Sequence, residues 1–326
     1  MSRSEIVNNI FDEKQDFTKK ALQVFQYQFA NNTVYRSWND ILNVDIASVS
    51  SLNKIPFLPV SFFKTRKIVC GDFKSELVFE SSGTTQTLNS RHYVKDASLY
   101  ITSFLEGFAK FYSDIKEWCV LGLLPSYLER KNSSLVFMVD ELIKQSDNAN
   151  SNFYLYDFEK LNAVLRQLET QQQKTLLIGV TFALLDFSEQ FPQQLNNTIV
   201  METGGMKGRR KEMTREEVHE MLCENLGIDK IHSEYGMTEL LSQAYSKGYG
   251  KFSCPAWMKV LVRDEEDPLI VKDSGRGVLN VIDLANIDSC SFIATDDAGT
   301  VHEDGSFEVH GRIDNSDIRG CSLMVV

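Results

Sequence analysis

Between residues 5 and 31, Ile6, Ile10, Phe11, Phe17, Ala21, Leu22, Val24, Phe25 and Phe29 recur at roughly helical spacing among polar neighbours. This pattern predicts one or two amphipathic helices. A loop carrying Pro and Ser follows at residues 51–64, and beyond it the period alternates. Residues 67–70 (KIVC) and 75–81 (SELVFES) read as strands, 96–112 as a helix, 117–125 (EWCVLGLLP) as a buried strand and 133–146 as a helix. KTLLIGV, 174–180, reads as another buried strand and 181–191 as a helix; NTIVMETGG, 197–205, repeats the strand theme, and 214–228 is a helix ended by Gly227. Continuous apolar strands alternating with helices predict a parallel or mostly parallel sheet with helices on its faces, an α/β fold.

After about residue 250 the pattern shortens to MKVLVRD, PLIVKD, GVLNVID and FEVHGRID, separated by Asp/Gly turns. Such runs predict a small antiparallel module behind the α/β core. The expected organisation is an N-terminal helical region over residues 1–75 and a core over 76–310. That core divides into an α/β part (76–249) and a β-rich part (250–310), and a tail runs over 311–326.

Composition narrows the function classes. With 43% hydrophobic and 24% charged residues and only 6 prolines, the chain has the profile of a folded globular protein. Its net charge of −11 argues against a broad nucleic-acid footprint or an anionic-membrane surface, both of which need clustered Lys and Arg, but it leaves room for one nucleotide in a local pocket. The first twenty residues lack an apolar signal core, and no apolar run approaches the ~18 residues of a spanning helix. A cytoplasmic protein, not integral to a membrane, is the expectation. Six cysteines, Cys70, Cys119, Cys223, Cys254, Cys290 and Cys321, lie scattered without a C-x-x-C pair, which indicates neither a zinc site nor a cystine framework. Cys321 is sixth from the end, whereas a prenylation box needs it fourth.

Three stretches carry candidate chemistry. In FESSGTTQTLNSRHY (79–93), Gly83 permits close backbone approach, and Ser81, Ser82, Thr84 and Thr85 offer hydroxyl and amide donors suited to phosphate oxygens. No Walker pattern is present, and a plain loop is the alternative reading. In HSEYGMTELLSQAYS (232–246), Tyr235 offers a ring to set beside a base, Gly236 a turn, Thr238 a hydroxyl and Glu239 a hard oxygen suited to Mg²⁺. A helix N-terminus capped by Thr238 fits the same residues. In ATDDAGTVHEDGSFEVHGRID (294–314), Asp296 and Asp297 before a glycine read as a turn; an Asp also grips two vicinal ribose hydroxyls, with Arg312 adding charge to the sugar or phosphate. His92 and His232 flank these motifs and read either as site residues or as bonded structural histidines.

The order of these motifs resembles the adenylate-forming superfamily of acyl-CoA synthetases, luciferase and peptide-synthetase adenylation domains. SSGTT matches its phosphate loop. TGGM (203–206), with Gly204 and Gly205, matches its adenine-flanking turn. YGMTE, with Tyr235, Gly236, Met237, Thr238 and Glu239, matches its most specific motif. Asp297 falls on its ribose-binding aspartate and Arg312 on its arginine. Two departures stand out. The superfamily's loop continues with Gly and then Lys, whereas this chain has Gln86 and Asn89, with Arg91 the nearest cation; and with twelve residues after Asp314 in this sequence, the expectation is a fold without the superfamily's full mobile lid domain.

Within the superfamily, residues 122–143, 235–245 and 317–323 resemble the acyl-protein synthetases of the bacterial fatty acid reductase complex. That resemblance implies the large-domain fold of adenylate-forming enzymes and the ATP- and Mg²⁺-dependent activation of a carboxylic acid, most simply a fatty acid. The acyl group would then pass to Cys321, a thiol with Arg319 two residues away, for delivery to an acyl-CoA-reductase-like protein or an acyl carrier. Thr238, Glu239 and Cys321 become the expected catalytic residues and Glu239 the metal ligand. Phe104, Phe108, Phe111, Tyr112, Leu123, Leu124, Tyr127 and Met138 are candidates for an acyl tunnel or for ordinary core. A carboxylate-CoA ligase resembling the phenylacetate branch, and a non-catalytic subunit, are the competing readings.

Overall fold

Polar caps start the helices where the hydrophobic pattern places them. A computed structural model of the chain describes residues 2–81, 88–125, 130–204 and 213–313. Ser2 and Glu5 form a capping box at α1 (Arg3–Ile10), Asp16 caps α2 (Phe17–Asn31), and Asn32 caps α3 (Thr33–Ile41). The first two bury Ile6, Ile10, Ala21, Val24 and Phe25. Polar side chains then fix them to the turn at residues 284–291. Arg3 makes a two-point contact with Asp288 at 2.7 and 2.6 Å, Gln28 Nε2 donates to Asn286 O and Ile287 O at 3.0 Å, and Asn32 Nδ2 donates to Ser289 O at 2.9 Å.

The loop expected at 51–64 holds two short elements, β1 (Leu58–Pro59) and α4 (Phe62–Thr65). Residues 67–70, expected as a strand, are not one. Ile68 and Cys70 are buried, but their backbone bonds go to the 284–291 turn: Cys70 N–H donates to Asp288 O at 2.8 Å and Ser289 Oγ donates to Ile68 O at 2.9 Å. Next, β2 (Leu77–Glu80) and β3 (Arg91–Val94) pair antiparallel, Glu80 opposite Arg91, before Asp96 caps α5 (Ala97–Tyr112).

The alternating section follows: β4 (Cys119–Leu123), α6 (Ser134–Ser146), β5 (Asn152–Phe153), α7 (Phe158–Thr170), β6 (Thr175–Val180), α8 (Thr181–Gln190), β7 (Thr198–Thr203), α9 (Arg215–Leu226) and β8 (His232–Tyr235). Strands β5, β4, β6, β7 and β8 lie side by side and parallel. Every residue of β4, β6 and β8 is buried, as two-sided helix cover requires. Thr214 opens α9 with a capping box and Gly227 closes it at φ 60.

The remaining strands are β9 (Ala244–Ser246), β10 (Lys251–Ser253), β11 (Met258–Arg263), β12 (Val271–Lys272), β13 (Gly275–Asp283), β14 (Phe292–Val301) and β15 (Phe307–Arg312). They are antiparallel to one another but do not stand apart. Apart from β2 and β3, which pair as a separate two-stranded sheet, the described strands join in one 13-stranded sheet of order β12-β11-β13-β14-β15-β10-β9-β8-β7-β6-β4-β5, with β1 parallel beside β14. The result is a large mixed sheet flanked by helices. Asp296 and Asp297 lie within β14 rather than in a turn, Asp297 directly opposite Arg312 of β15.

Candidate active site

The parallel strands β7 and β8 end side by side, and the carboxyl ends of such strands are where open α/β sheets take ligands. Gly204 follows β7 at φ 70, a conformation that favours glycine, and its carbonyl accepts from Thr181 Oγ1 at 2.7 Å. Tyr235 closes β8. Its ring is only 9% exposed, edge-on to Phe307 and Phe252, and its hydroxyl donates to Asp297 Oδ2 at 2.8 Å. The other oxygen of Asp297 lies 3.3 Å from Arg312 Nε, on a side chain that is 77% exposed. Three residues of two distant motifs therefore form one acid–phenol–guanidinium cluster. Met237 folds back so that its sulfur lies 3.6 Å from Tyr235 Oη. A Cβ on Gly236 would strike Glu234 Oε1, so the buried carboxyl of Glu234 would have to move to admit one.

The rest of YGMTE is not a helix N-terminus; residues 236–243 form turns seated on β3 and the 284–286 segment. His92 Nδ1 lies 2.9 Å from Thr238 O, and Nε2 lies 2.9 Å from Asn286 Oδ1. Asn286 Nδ2 donates to Glu239 O at 2.6 Å. Burial pulls the His92 pKa down to about 4 although both acceptor oxygens oppose it. His92 is thus a positioning residue for the motif. His232, the other histidine singled out, lies instead 3.1 Å from Tyr112 Oη, and burial, with Lys230 and Lys247, lowers it to about 4.

Glu239 is 5% exposed; burial raises its carboxyl pKa, opposed by a hydrogen bond from Ser90. Ser90 also joins the first motif, since Ser81 N–H donates to Ser90 O at 3.1 Å and Ser90 N–H to Ser81 Oγ at 2.9 Å. Ser81, Ser90 and Glu239 thus link the base of the candidate phosphate loop to YGMTE. Among the described residues Glu239 makes no ion pair, although Arg312 and Lys64 favour its charge from farther away, and such a buried carboxyl suits a divalent cation, whose charge reverses the cost of ionisation. Among the described residues no group of three or more His, Cys, Asp or Glu gathers as a metal cage, so Mg²⁺ here would rest on Glu239, phosphate oxygens and water.

Ser82, Gly83, Thr84, Thr85, Tyr127, Gly205 and Cys321 lie outside the described residues. Burial raises the thiol pKa of all five other cysteines, to about 11 for Cys119 and about 12 for Cys254 and Cys290, which leaves them protonated near neutral pH. Ser90, Asn286 and Arg263 escaped the sequence reading. Arg263 donates to Leu279 O at 3.1 Å, Asn280 Oδ1 at 2.7 Å and Thr295 O at 2.6 Å, and so braces β14 two residues before Asp297. Nothing in their local sequence marks them, because each acts through a partner far along the chain.

Known proteins resemble this chain in sequence and in fold. The long-chain-fatty-acid–luciferin-component ligase of Vibrio harveyi is 23% identical over 336 residues, 96% of this chain and 88% of that one, and its Aliivibrio fischeri namesake is 21% identical over 341 residues, covering 96% and 89%. ATP-bound MatB from Rhodopseudomonas palustris shares the fold, with TM-score 0.54 and 15% identity over 72% of this chain; the match spans 47% of MatB, about half its length. The family described as "Acyl-protein synthetase, LuxE" matches residues 4–326, and the chain belongs to that family.

Proposed function

We propose that the protein activates a long-chain fatty acid with ATP as an acyl-adenylate and then passes the acyl group to the thiol of Cys321. One observation carries the reading: hydrogen bonds tie the YGMTE segment at the end of β8 to both other motifs, Glu239 through Ser90 to Ser81 and Tyr235 through Asp297 to Arg312. Family membership and the names of the two ligases supply the substrate class.

Asp297 retains lone pairs for ribose hydroxyls beside those engaged by Tyr235 and Arg312. Gly204 and the edge of Tyr235 would flank the adenine. Arg312, with its exposed guanidinium, would reach the sugar or the α-phosphate. When bound, Mg²⁺ would supply charge neutralisation at the phosphates, held by Glu239. In the first step a carboxylate oxygen of the acid attacks the α-phosphorus, and the bond to the bridging oxygen breaks, so that pyrophosphate leaves with the electron pair. The Cys321 thiolate then attacks the acyl carbonyl, a C–S bond forms and AMP departs. The protein contributes position and charge rather than covalent help in the first step. Ser82, Gly83, Thr84, Thr85 and Gly205 complete the phosphate and adenine contacts in this reading. An acyl-CoA-reductase-like protein or an acyl carrier would receive the thioester. The expected cytoplasmic location belongs to the same proposal, and five unpaired cysteines among the described residues suit a reducing compartment. Among the described residues no helix is long and apolar enough to cross a membrane.

Incubation with ATP, Mg²⁺ and a labelled long-chain fatty acid should leave a hydroxylamine-labile label on the protein. Cys321→Ser should lose that label and keep carboxylate-dependent pyrophosphate exchange. Equal labelling of variant and wild type sinks the thiol assignment, and a CoA thioester as sole product would favour the CoA-ligase reading.

A further inference from the structure

The phosphate loop of this chain is poor in positive charge. Gln86 and Asn89 stand where a lysine would serve a triphosphate, and Arg91, the nearest cation in sequence, is paired through Nε with Glu80 Oε1 at 3.0 Å. A triphosphate and its leaving pyrophosphate nevertheless need several charges answered.

Beside the base of that loop opens a cavity of about 410 Å³. Glu80, Ser81 and Asn89 line one side, and residues 130–133 line the other. The sides are bonded together: Glu80 N–H donates to Asn132 O at 2.8 Å, and Asn132 Nδ2 donates to Glu80 Oε2 at 3.5 Å. Arg130 and Lys131 are both exposed at this cavity, and among the described residues neither has an ion-pair partner. Ser133 caps the 13-residue helix α6, so the positive end of its dipole borders the same space. Two hydrogen bonds, Ser81 to Ser90 and Ser90 to Glu239, link the cavity wall to Glu239. Two cations without an ion pair among the described residues, a helix start and the base of the phosphate loop thus border one space.

We propose that Arg130 and Lys131 are the missing triphosphate clamp: they hold the β- and γ-phosphates of ATP and then the pyrophosphate that departs. The proposal rests on the adenylation reading above. As the bond between the α-phosphorus and the bridging oxygen breaks, the electron pair moves onto pyrophosphate, and these side chains answer the added charge. Arg130 suits a two-point grip on phosphate oxygens, while Lys131 acts as a point charge. Arg91, already paired with Glu80, contributes little.

Calorimetric titration of the full chain with ATP, AMP and tripolyphosphate, each with Mg²⁺, tests this. The double variant Arg130→Gln/Lys131→Gln should bind ATP and tripolyphosphate about tenfold or more weakly, the scale of losing charge-assisted bonds, with AMP affinity unchanged. Arg91→Gln should move neither by more than about threefold. Because both substituted side chains are exposed, thermal midpoints should stay with wild type, and the wild-type affinity for tripolyphosphate should fall as salt rises. Unchanged ATP affinity in the double variant, an equal loss for AMP, or a wild type that binds no tripolyphosphate overturns the clamp. Failure of the parent reading looks different: a wild type that holds tripolyphosphate through these two residues yet shows no carboxylate-dependent exchange keeps the clamp and rejects adenylation. Full exchange in the double variant with an unaltered KM for ATP does the reverse.

Discussion

Glu234 is sealed in the interior one position before Tyr235. Thr203 Oγ1 donates to its Oε2 at 2.6 Å, and Tyr100 and Tyr245 lie close enough to feel its charge. Burial pushes its carboxyl up from 4.5 to about 7, with the Thr203 bond opposing. The native state therefore keeps a proton that the unfolded state has already lost between those two values. The corresponding stability is complete below about pH 4.5 and disappears as pH rises through 7. Glu234→Gln removes the ionisation and keeps the shape. Relative to wild type, the variant should gain up to roughly 3 kcal/mol at pH 8, the size of a shift of this order, and little at pH 4. Urea midpoints at the two pH values check this; parallel pH profiles for the two proteins would reject it. The same carboxyl lies where a Cβ at Gly236 would go, so a larger residue there would displace Glu234 from its bond with Thr203 or shift it.

Elements differ in how much of them a local pattern reveals. Strands β4 and β6 were legible because burial on both faces demands an unbroken apolar run, and α5 and α6 because Asp96 and Ser133 cap an amphipathic repeat. KIVC has the same apolar look, but it satisfies its backbone on a turn more than two hundred residues away. Strand β14 hid for the opposite reason: ATDDAGT reads as a turn, yet cross-strand partners on β13 and β15 hold it extended. The three chemical motifs were likewise legible as words, while the bonds joining them through Ser90, His92 and Asn286 exist only in the fold. Arg263 of β11 shows what those long-range bonds do. Its guanidinium joins β13 to β14, and burial lowers its pKa against the pull of Asp296 and Asp297. Arg263→Met strands Asn280 Oδ1 and Thr295 O, while Leu279 O keeps its bond from Thr295 Oγ1 at 2.7 Å, and Asn280 Nδ2 beside them has no partner among the described residues. A loss on the order of 3 kcal/mol in urea unfolding is expected, with weaker ATP binding as β14 loosens at Thr295. Wild-type stability together with wild-type ATP affinity would rule out the bracing role.

At the scale of the whole molecule, the question is whether the helical start, the parallel strands and the antiparallel strands unfold together. Strands β9 and β10 hydrogen-bond the two halves of the sheet into one, and Gln28 and Arg3 tie the first helices to the 284–291 turn. Three tryptophans report on the three regions. Trp38 of α3 donates from Nε1 to Phe57 O at 2.9 Å, Trp118 precedes β4, and Trp257 precedes β11. Trp257 touches all three at once: Phe11 lies edge-on to it at 4.8 Å, and its indole N–H donates to Ser103 Oγ of α5 at 2.9 Å. Such cross-linking of cores favours one cooperative transition over independent domains. In each single-tryptophan variant, made by changing the other two to Phe, the fluorescence midpoint should coincide with the far-UV midpoint of that same variant. Comparing probes within one variant removes the stability cost of the substitutions themselves. A Trp38 signal that melts before the far-UV signal would mean that the N-terminal helices unfold on their own, and that their bonds to the 284–291 turn are too weak to couple them to the sheet.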